Sequence, residues 1–193
     1  MKYNVYDFDK TIYKRDSTFD FYLFCIKKKP RILTELPVLT GYAVLFVLKV
    51  CSKTEFKEIF YRFLRHLGSV DELVEEFWNL HRGGIADYYH DTHRDTDVVI
   101  SASPEFLLKP ICKQLSIHKL IASRVDRHTG IYFGENCWGE EKVRRFREEM
   151  PDAEVADFYS DSLSDTPMAA IAERAFLVTS GGIVPWPGKS MES

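Results

Sequence analysis

Lys2-Tyr3-Asn4-Val5-Tyr6-Asp7-Phe8-Asp9-Lys10-Thr11 is the stretch from which the rest of the chain can be read. Its opening residues alternate toward a short β-strand, and that strand runs into two carboxylates at alternate positions, Asp7 and Asp9. Carboxylates held this close repel one another when buried, and they coexist only with a cation or a shared proton. Their hard oxygens suit magnesium, which also bridges phosphate oxygens. A solvated strand-end turn would show the same three residues, so the choice between the two depends on the motifs at the other strand ends.

Working outward, Asp97–Ile100, Lys119–Ala122, Val155–Tyr159 and Ala175–Thr179 read as four further strands. Helical patterns lie between them at Pro104–Leu115, Glu140–Met150 and Pro167–Arg174. Short strands alternating with helices predict an α/β fold, a Rossmann-like three-layer core around a mainly parallel sheet. Ligands of such sheets bind beyond the carboxyl ends of the strands. Asp7, Ser101 and Asp161 all fall just after expected strands, so one crevice would collect them.

Three other motifs sit at these ends. Asp161-Ser162-Leu163-Ser164-Asp165 precedes Thr166-Pro167, which read as an N-cap and a first-turn proline. Capping requires one aspartate, so a second acidic pair at a strand end favours a metal site. In Ser101-Ala102-Ser103-Pro104, Ser103 reads as a cap and Pro104 as the first helical residue. The helix N-terminus then offers N–H groups to an anion, with the Ser101 hydroxyl beside it. In Gly139-Glu140-Glu141-Lys142, a lysine near a helix N-terminus opposes the dipole, which is natural if it reaches an anionic site.

Residues 15–91 carry a different signal. Tyr13 to His90 shows little strand pattern and holds 15 of the chain's 27 aromatic residues. Ser52–Glu55 reads as a capping box, followed by Phe56, Ile59, Phe60, Phe63, Leu64 and Leu67 at helical spacing. Ser69–Glu72 reads as a second box, and Gly83-Gly84 as a break. The expectation is a core from residues 1–14 and 92–193, with a helical cap inserted between them. Phe19, Tyr22, Phe24, Tyr42 and Phe46 could line a substrate pocket, though most of them would form the cap's own core, and His90–His93 would be a hinge. Ile32–Val50 is apolar and comes after the basic run Lys27–Arg31, but Glu35, Pro37, Gly41 and Lys49 interrupt it. The clean part, Val38 to Leu48, is well short of the ~20 residues a bilayer span needs, so a buried cap helix is expected rather than membrane association.

The composition is globular, with 45% hydrophobic and 28% charged residues over 193 positions. A net charge of −3 gives no basic excess for nucleic acid. Cys25, Cys51, Cys112 and Cys137 are scattered without metal-ligand spacing, which reads as reduced thiols in a cytoplasmic protein. The N-terminus has no signal-peptide pattern. The tail from Pro185 is expected to be loosely held.

Taken in order, DFDKT at Asp7, VVISASPEF ending at Phe106, CWGEEK ending at Lys142 and YSDSLSD ending at Asp165 resemble the haloacid dehalogenase superfamily. The resemblance covers essentially the whole chain and is closest to the phosphoserine-phosphatase-like branch with a helical cap. It implies a magnesium-dependent phosphatase acting on a small phosphorylated metabolite. Asp7 would be the nucleophile, Asp9 the acid and base, Ser101 a phosphoryl ligand and Lys142 the charge-offsetting cation. Thr11, Asp16, Ala102 and Ser103 would lie on the substrate side. Magnesium would be held by Asp7, the Asp9 carbonyl and Asp161, with Asp165 orienting bound water or Lys142. Dehalogenases of the superfamily lack the second aspartate, so Asp9 points to phosphoryl chemistry. The chain departs from the pattern at Ser160, Ser164, Ala102-Ser103 and Asp16. A phosphomutase or phosphotransferase on the same core, and a non-catalytic membrane-surface protein, are the competing readings.

Overall fold

The computed structural model describes residues 1–189. It contains β1 (Lys2–Tyr6), β2 (Val98–Pro104), β3 (Lys119–Ser123), β4 (Glu154–Ser160), β5 (Ala172–Thr179) and β6 (Gly182–Pro185). They form one sheet in the order β3-β2-β1-β4-β5-β6, parallel except for β6, which pairs antiparallel with β5. This is the expected α/β architecture with a mainly parallel sheet.

Side-chain alternation along β1 explains the layers. Val5 faces one apolar cluster with Val98, Ile100, Phe158, Phe146 and Met168. Tyr6 faces the other, with Val99, Leu107, Leu108 and Ile111. Helices α6 (Glu105–Gln114), α7 (Glu140–Glu149) and α8 (Thr166–Ile171) belong to the sheet layers. Five helices lie between β1 and β2: α1 (Ser17–Lys28), α2 (Leu36–Val47), α3 (Lys53–Tyr61), α4 (Val70–His81) and α5 (Asp87–Thr92). Val70, Val74, Phe77 and Trp78 of α4 recur at helical spacing and are buried. They join Phe21, Tyr22, Phe24 and Phe63 in the same cluster as Tyr6, so this helical layer is continuous with one face of the sheet. Ser52 and Glu55 form the expected reciprocal capping box at α3.

Several expectations are corrected. The helix read to Arg174 ends at Ile171, because β5 begins at Ala172 in register with Val155, and Arg174 makes two 2.7 Å hydrogen bonds to Asp157 across the sheet. Strand β6 has no counterpart in the sequence reading. It leads to Trp186, buried against Phe158, so the tail is held by packing as far as that residue. Residues 190–193 lie outside the described residues. Ser69 precedes α4 but its side chain makes no cap hydrogen bond. Thr166 is the first residue of α8 rather than its cap. The apolar stretch expected to be a buried cap helix becomes a 3₁₀ turn (Pro30–Glu35) and α2, and α2 has no buried residue at all. Tyr42 and Phe46 therefore stay out of the cap's core, whose interior is already filled from α1, α4 and the turn at Arg62–His66. Phe19 is likewise outside it, 53% exposed.

Candidate active site

β1 is central, and its C-terminal end lies between those of β2 and β4, where the chain changes direction across the sheet. The Asp7 N–H still bonds the Tyr159 carbonyl at 2.8 Å, so the sheet itself fixes this residue. Phe8 points away and is fully buried against Tyr13 and Trp78. That anchor directs Asp7 and Asp9 into the opposite space, a cleft of about 420 Å³. Lys10 then turns the chain with a φ of 55°.

The cleft also receives Ser101, Ala102 and Ser103 from β2, Lys142 from the first turn of α7, and Asp161 and Asp165 from beyond β4. Lys142 is 2% exposed and bridges two carboxylates, donating at 2.8 Å to Asp7 Oδ1 and at 2.7 Å to Asp165 Oδ2. Burial opposes its charge, but the two carboxylates outweigh that and hold its proton more tightly than usual. Ser160 Oγ donates at 2.7 Å to the same oxygen of Asp165, which gives the serine before Asp161 a defined task. Asp165 Oδ1 is buried without a hydrogen-bond partner among the described residues.

Asp9 is held differently. Its Oδ1 accepts from the Ser17 N–H at 2.8 Å and its Oδ2 from Ser103 Oγ at 2.5 Å. Ser103 therefore does not cap α6, as expected from sequence; its hydroxyl is occupied by Asp9 and Thr18. Its N–H donates at 3.1 Å to Ser101 Oγ. Asp16 caps α1 through the Phe19 N–H at 2.8 Å and lines the cleft from that position. Thr11 is set apart from this group. It is buried beneath the loop and is not among the cleft-lining residues.

Burial raises both carboxyls of the first motif. Asp7 is pushed up to about 7, with Lys142 opposing the shift, and Asp9 to about 6, with Asp16 adding to it. A carboxyl that holds its proton more tightly folded than unfolded stabilises the fold below its ordinary range. That contribution is lost as pH rises through about 6 for Asp9 and about 7 for Asp7. The metal-free protein is therefore expected to melt at a higher temperature near about pH 5 than near about pH 8. Asp9→Asn should remove on the order of 1 kcal/mol of that difference. Thermal unfolding at the two pH values checks this, and an unchanged difference in the variant would contradict the burial of Asp9.

The acidic set also fits a hard divalent cation. Asp7, Asp9, Asp161 and Asp165 share one cleft with a single fully buried ammonium, and one oxygen of Asp165 lacks a partner. Among the described residues no three His, Cys, Asp or Glu side chains form a complete cage. Magnesium, which takes one or two carboxylates and fills its shell with water and phosphate oxygens, needs none.

Of the far wall of the cleft, the sequence reading offers only Phe19. Lys53, Phe56, Lys57 and Phe60 occupy one stripe of α3 and line the cleft with Phe19 and Trp138. Lys57 Nζ donates to the Ala102 carbonyl at 2.9 Å and to Asn136 Oδ1 at 3.1 Å, both neutral acceptors. Burial, with Lys53 nearby, pulls Lys57 down to about 8. Lys53 Nζ lies 3.9 Å from the Trp138 ring centroid. The i, i+4 spacing of two lysines and two phenylalanines is the signal that could have found this wall, but helical periodicity picks out only its apolar positions.

This fold has counterparts. The profile of the family described as haloacid dehalogenase-like hydrolase matches residues 5–170, and the chain belongs to that family. A protein of unknown function from Bordetella pertussis superposes with a TM-score of 0.78 at 21% identity, over 97% of this chain and 92% of that one. A phosphoserine phosphohydrolase-like protein from Francisella tularensis does so with a TM-score of 0.54 at 18% identity, over 91% and 86%. Protein CicA of Caulobacter vibrioides is 37% identical over 82 residues, 39% of this chain and 37% of its own length. A histidinol-phosphatase of Neisseria meningitidis is 26% identical over 130 residues, 54% of this chain and 59% of its own. The chain thus spans less than two thirds of these curated relatives.

Proposed function

We propose that this phosphatase hydrolyses a small phosphate monoester in two steps through an aspartyl-phosphate on Asp7, with magnesium as its cofactor. The observation that carries the reading is the Asp7–Lys142–Asp165 cluster at adjoining strand ends, with Asp9 beside it on an independent hydrogen-bond network.

The Asp7 carboxylate attacks phosphorus, and the bond to the leaving oxygen breaks. Lys142 keeps that carboxylate ionised against its burial and offsets charge on the transferring group. Asp9 donates its proton to the leaving oxygen, then takes one from the water that opens the aspartyl-phosphate. Its raised acidity range, about 6, lets it hold a proton near neutral pH, as an acid catalyst must. Ser101 Oγ, buried at the end of β2, bonds a phosphoryl oxygen. Asp7, the Asp9 carbonyl and Asp161 would hold magnesium, with Asp165 behind them, and the ion would neutralise phosphoryl charge. The helical segment 15–91 acts as the cap, contributing α3 and Phe19 to the leaving-group side. Phe19, Phe56, Phe60 and Trp138 favour a leaving group less polar than serine, and the two lysines favour an anionic or strongly polar edge on it. The named histidinol-phosphatase relative is consistent with a small metabolite ester, without fixing which.

Phosphate release from p-nitrophenyl phosphate should require magnesium and stop with chelator. Asp9→Asn should lower kcat by about 10²–10⁴-fold. Full turnover in that variant would remove Asp9 from its role.

A further inference from the structure

Helix α2 poses a problem that the catalytic reading leaves unsolved. Pro30–Val47 is an 18-residue helical stretch of mean hydropathy 1.3, yet only 6% of it is buried. A helix apolar around most of its circumference is ordinarily covered, by protein or by lipid. Here Val44, Val47, Leu48 and Val50 are 54%, 78%, 65% and 69% exposed, and Val38, Leu45 and Phe46 are exposed as well, at positions spread around the helix. Apolar exposure on this scale marks a site of contact with something else.

Charge identifies the occupant. The chain carries a net charge of −3, but between Lys27 and Val50 it has five basic residues and one acidic one. The acidic one, Glu35, is already engaged by Arg62 and His66. Lys27, Lys29 and Arg31 lead into the stretch and Lys49 closes it; all are exposed, and none has a salt-bridge partner among the described residues. Cationic ends flanking an apolar helix complement anionic headgroups over an apolar interior. We propose that α2 and its basic flanks dock the protein on the surface of an anionic lipid bilayer.

The geometry sets the helix on the membrane rather than across it. α2 has 12 residues, about 18 Å of helix against roughly 30 Å of hydrocarbon. It packs against α3, whose Lys53 and Lys57 line the cleft, and Ile32 of the preceding turn is buried in the fold. Those attachments keep α2 at the depth of the headgroups. Phe46 stacks on Phe56 at 5.1 Å, and Phe56 lines the cleft, so docking brings the substrate entrance next to the bilayer.

Co-sedimentation with phosphatidylcholine vesicles, with and without about one third phosphatidylglycerol, tests this. The wild type should bind the anionic vesicles at least tenfold more tightly than the neutral ones. A Val47→Glu/Leu48→Glu variant should lose at least tenfold in that binding while turning over p-nitrophenyl phosphate at the wild-type rate. Failure of the wild type to bind, or equal binding by the variant, would overturn the proposal. So would a wild-type dimer in light scattering that the variant breaks, which would assign the face to a second copy. Sedimentation does not use turnover, so the docking and the phosphatase reading fail or stand separately.

Discussion

Lys142→Met is expected to destabilise the protein by about 3–5 kcal/mol and to slow phosphate release by at least about 10³-fold. The loss of stability comes from the two partners the substitution leaves behind. Asp7 and Asp165, both buried, each lose a short charge-assisted hydrogen bond, 2.8 and 2.7 Å long in the wild type. Two buried carboxyl groups are then left without the cation that paired them. The loss of rate has the same origin. Asp7 already sits at about 7 with Lys142 pulling it down, so without the lysine it is mostly protonated at neutral pH and cannot attack. Urea unfolding and steady-state kinetics measure the two effects. Lys142→Arg should restore part of the stability but little of the turnover, because a planar fork does not fit a space shaped around one ammonium. A Lys142→Met protein as stable as wild type and within tenfold of its rate would remove the lysine from the mechanism.

Asp7→Asn should do the opposite to stability and worse to rate. The carboxamide cannot form the acyl-phosphate, so turnover should fall by at least about 10⁴-fold. Yet burial penalises the Asp7 charge in the metal-free protein, and Lys142 keeps Asp165 as a partner in the variant. Stability at about pH 8 should therefore be unchanged or higher by about 1 kcal/mol, the trade expected where a residue is kept for chemistry rather than for folding. Loss of rate with loss of fold would show Asp7 to be structural.

Legibility in the sequence divides along physical lines. β1, the two acidic strand ends and the lysine of α7 are legible because alternation and residue type are local properties, and the sheet then brings strand ends together by topology. Features decided by distant contacts are not. Ser103 looks like a helix cap until Asp9, 94 positions away, takes its hydroxyl. Ala172–Arg174 looks helical until Val155 and Asp157 pair with it across the sheet. β6 has four exposed residues including a glycine and a proline, too short and too weakly patterned to register. Apolar composition alone does not tell that α2 is left uncovered, since burial depends on whether the remaining helices have already filled the cap. Lys53 and Lys57 look like ordinary surface lysines, and only the fold turns that face of α3 into the cleft.

The mechanism rests on transfer of the phosphoryl group to Asp7. Asp9→Asn offers the most direct view of it, because p-nitrophenolate leaves without a proton while the second step still needs a base. With magnesium and p-nitrophenyl phosphate, this variant should release about one equivalent of nitrophenolate in a burst, and acid-quenched protein should carry a phosphoryl group on the peptide containing Asp7. Phosphate released at the full rate, with no burst and with Asp7 unmodified, would exclude Asp7 as the phosphoryl acceptor.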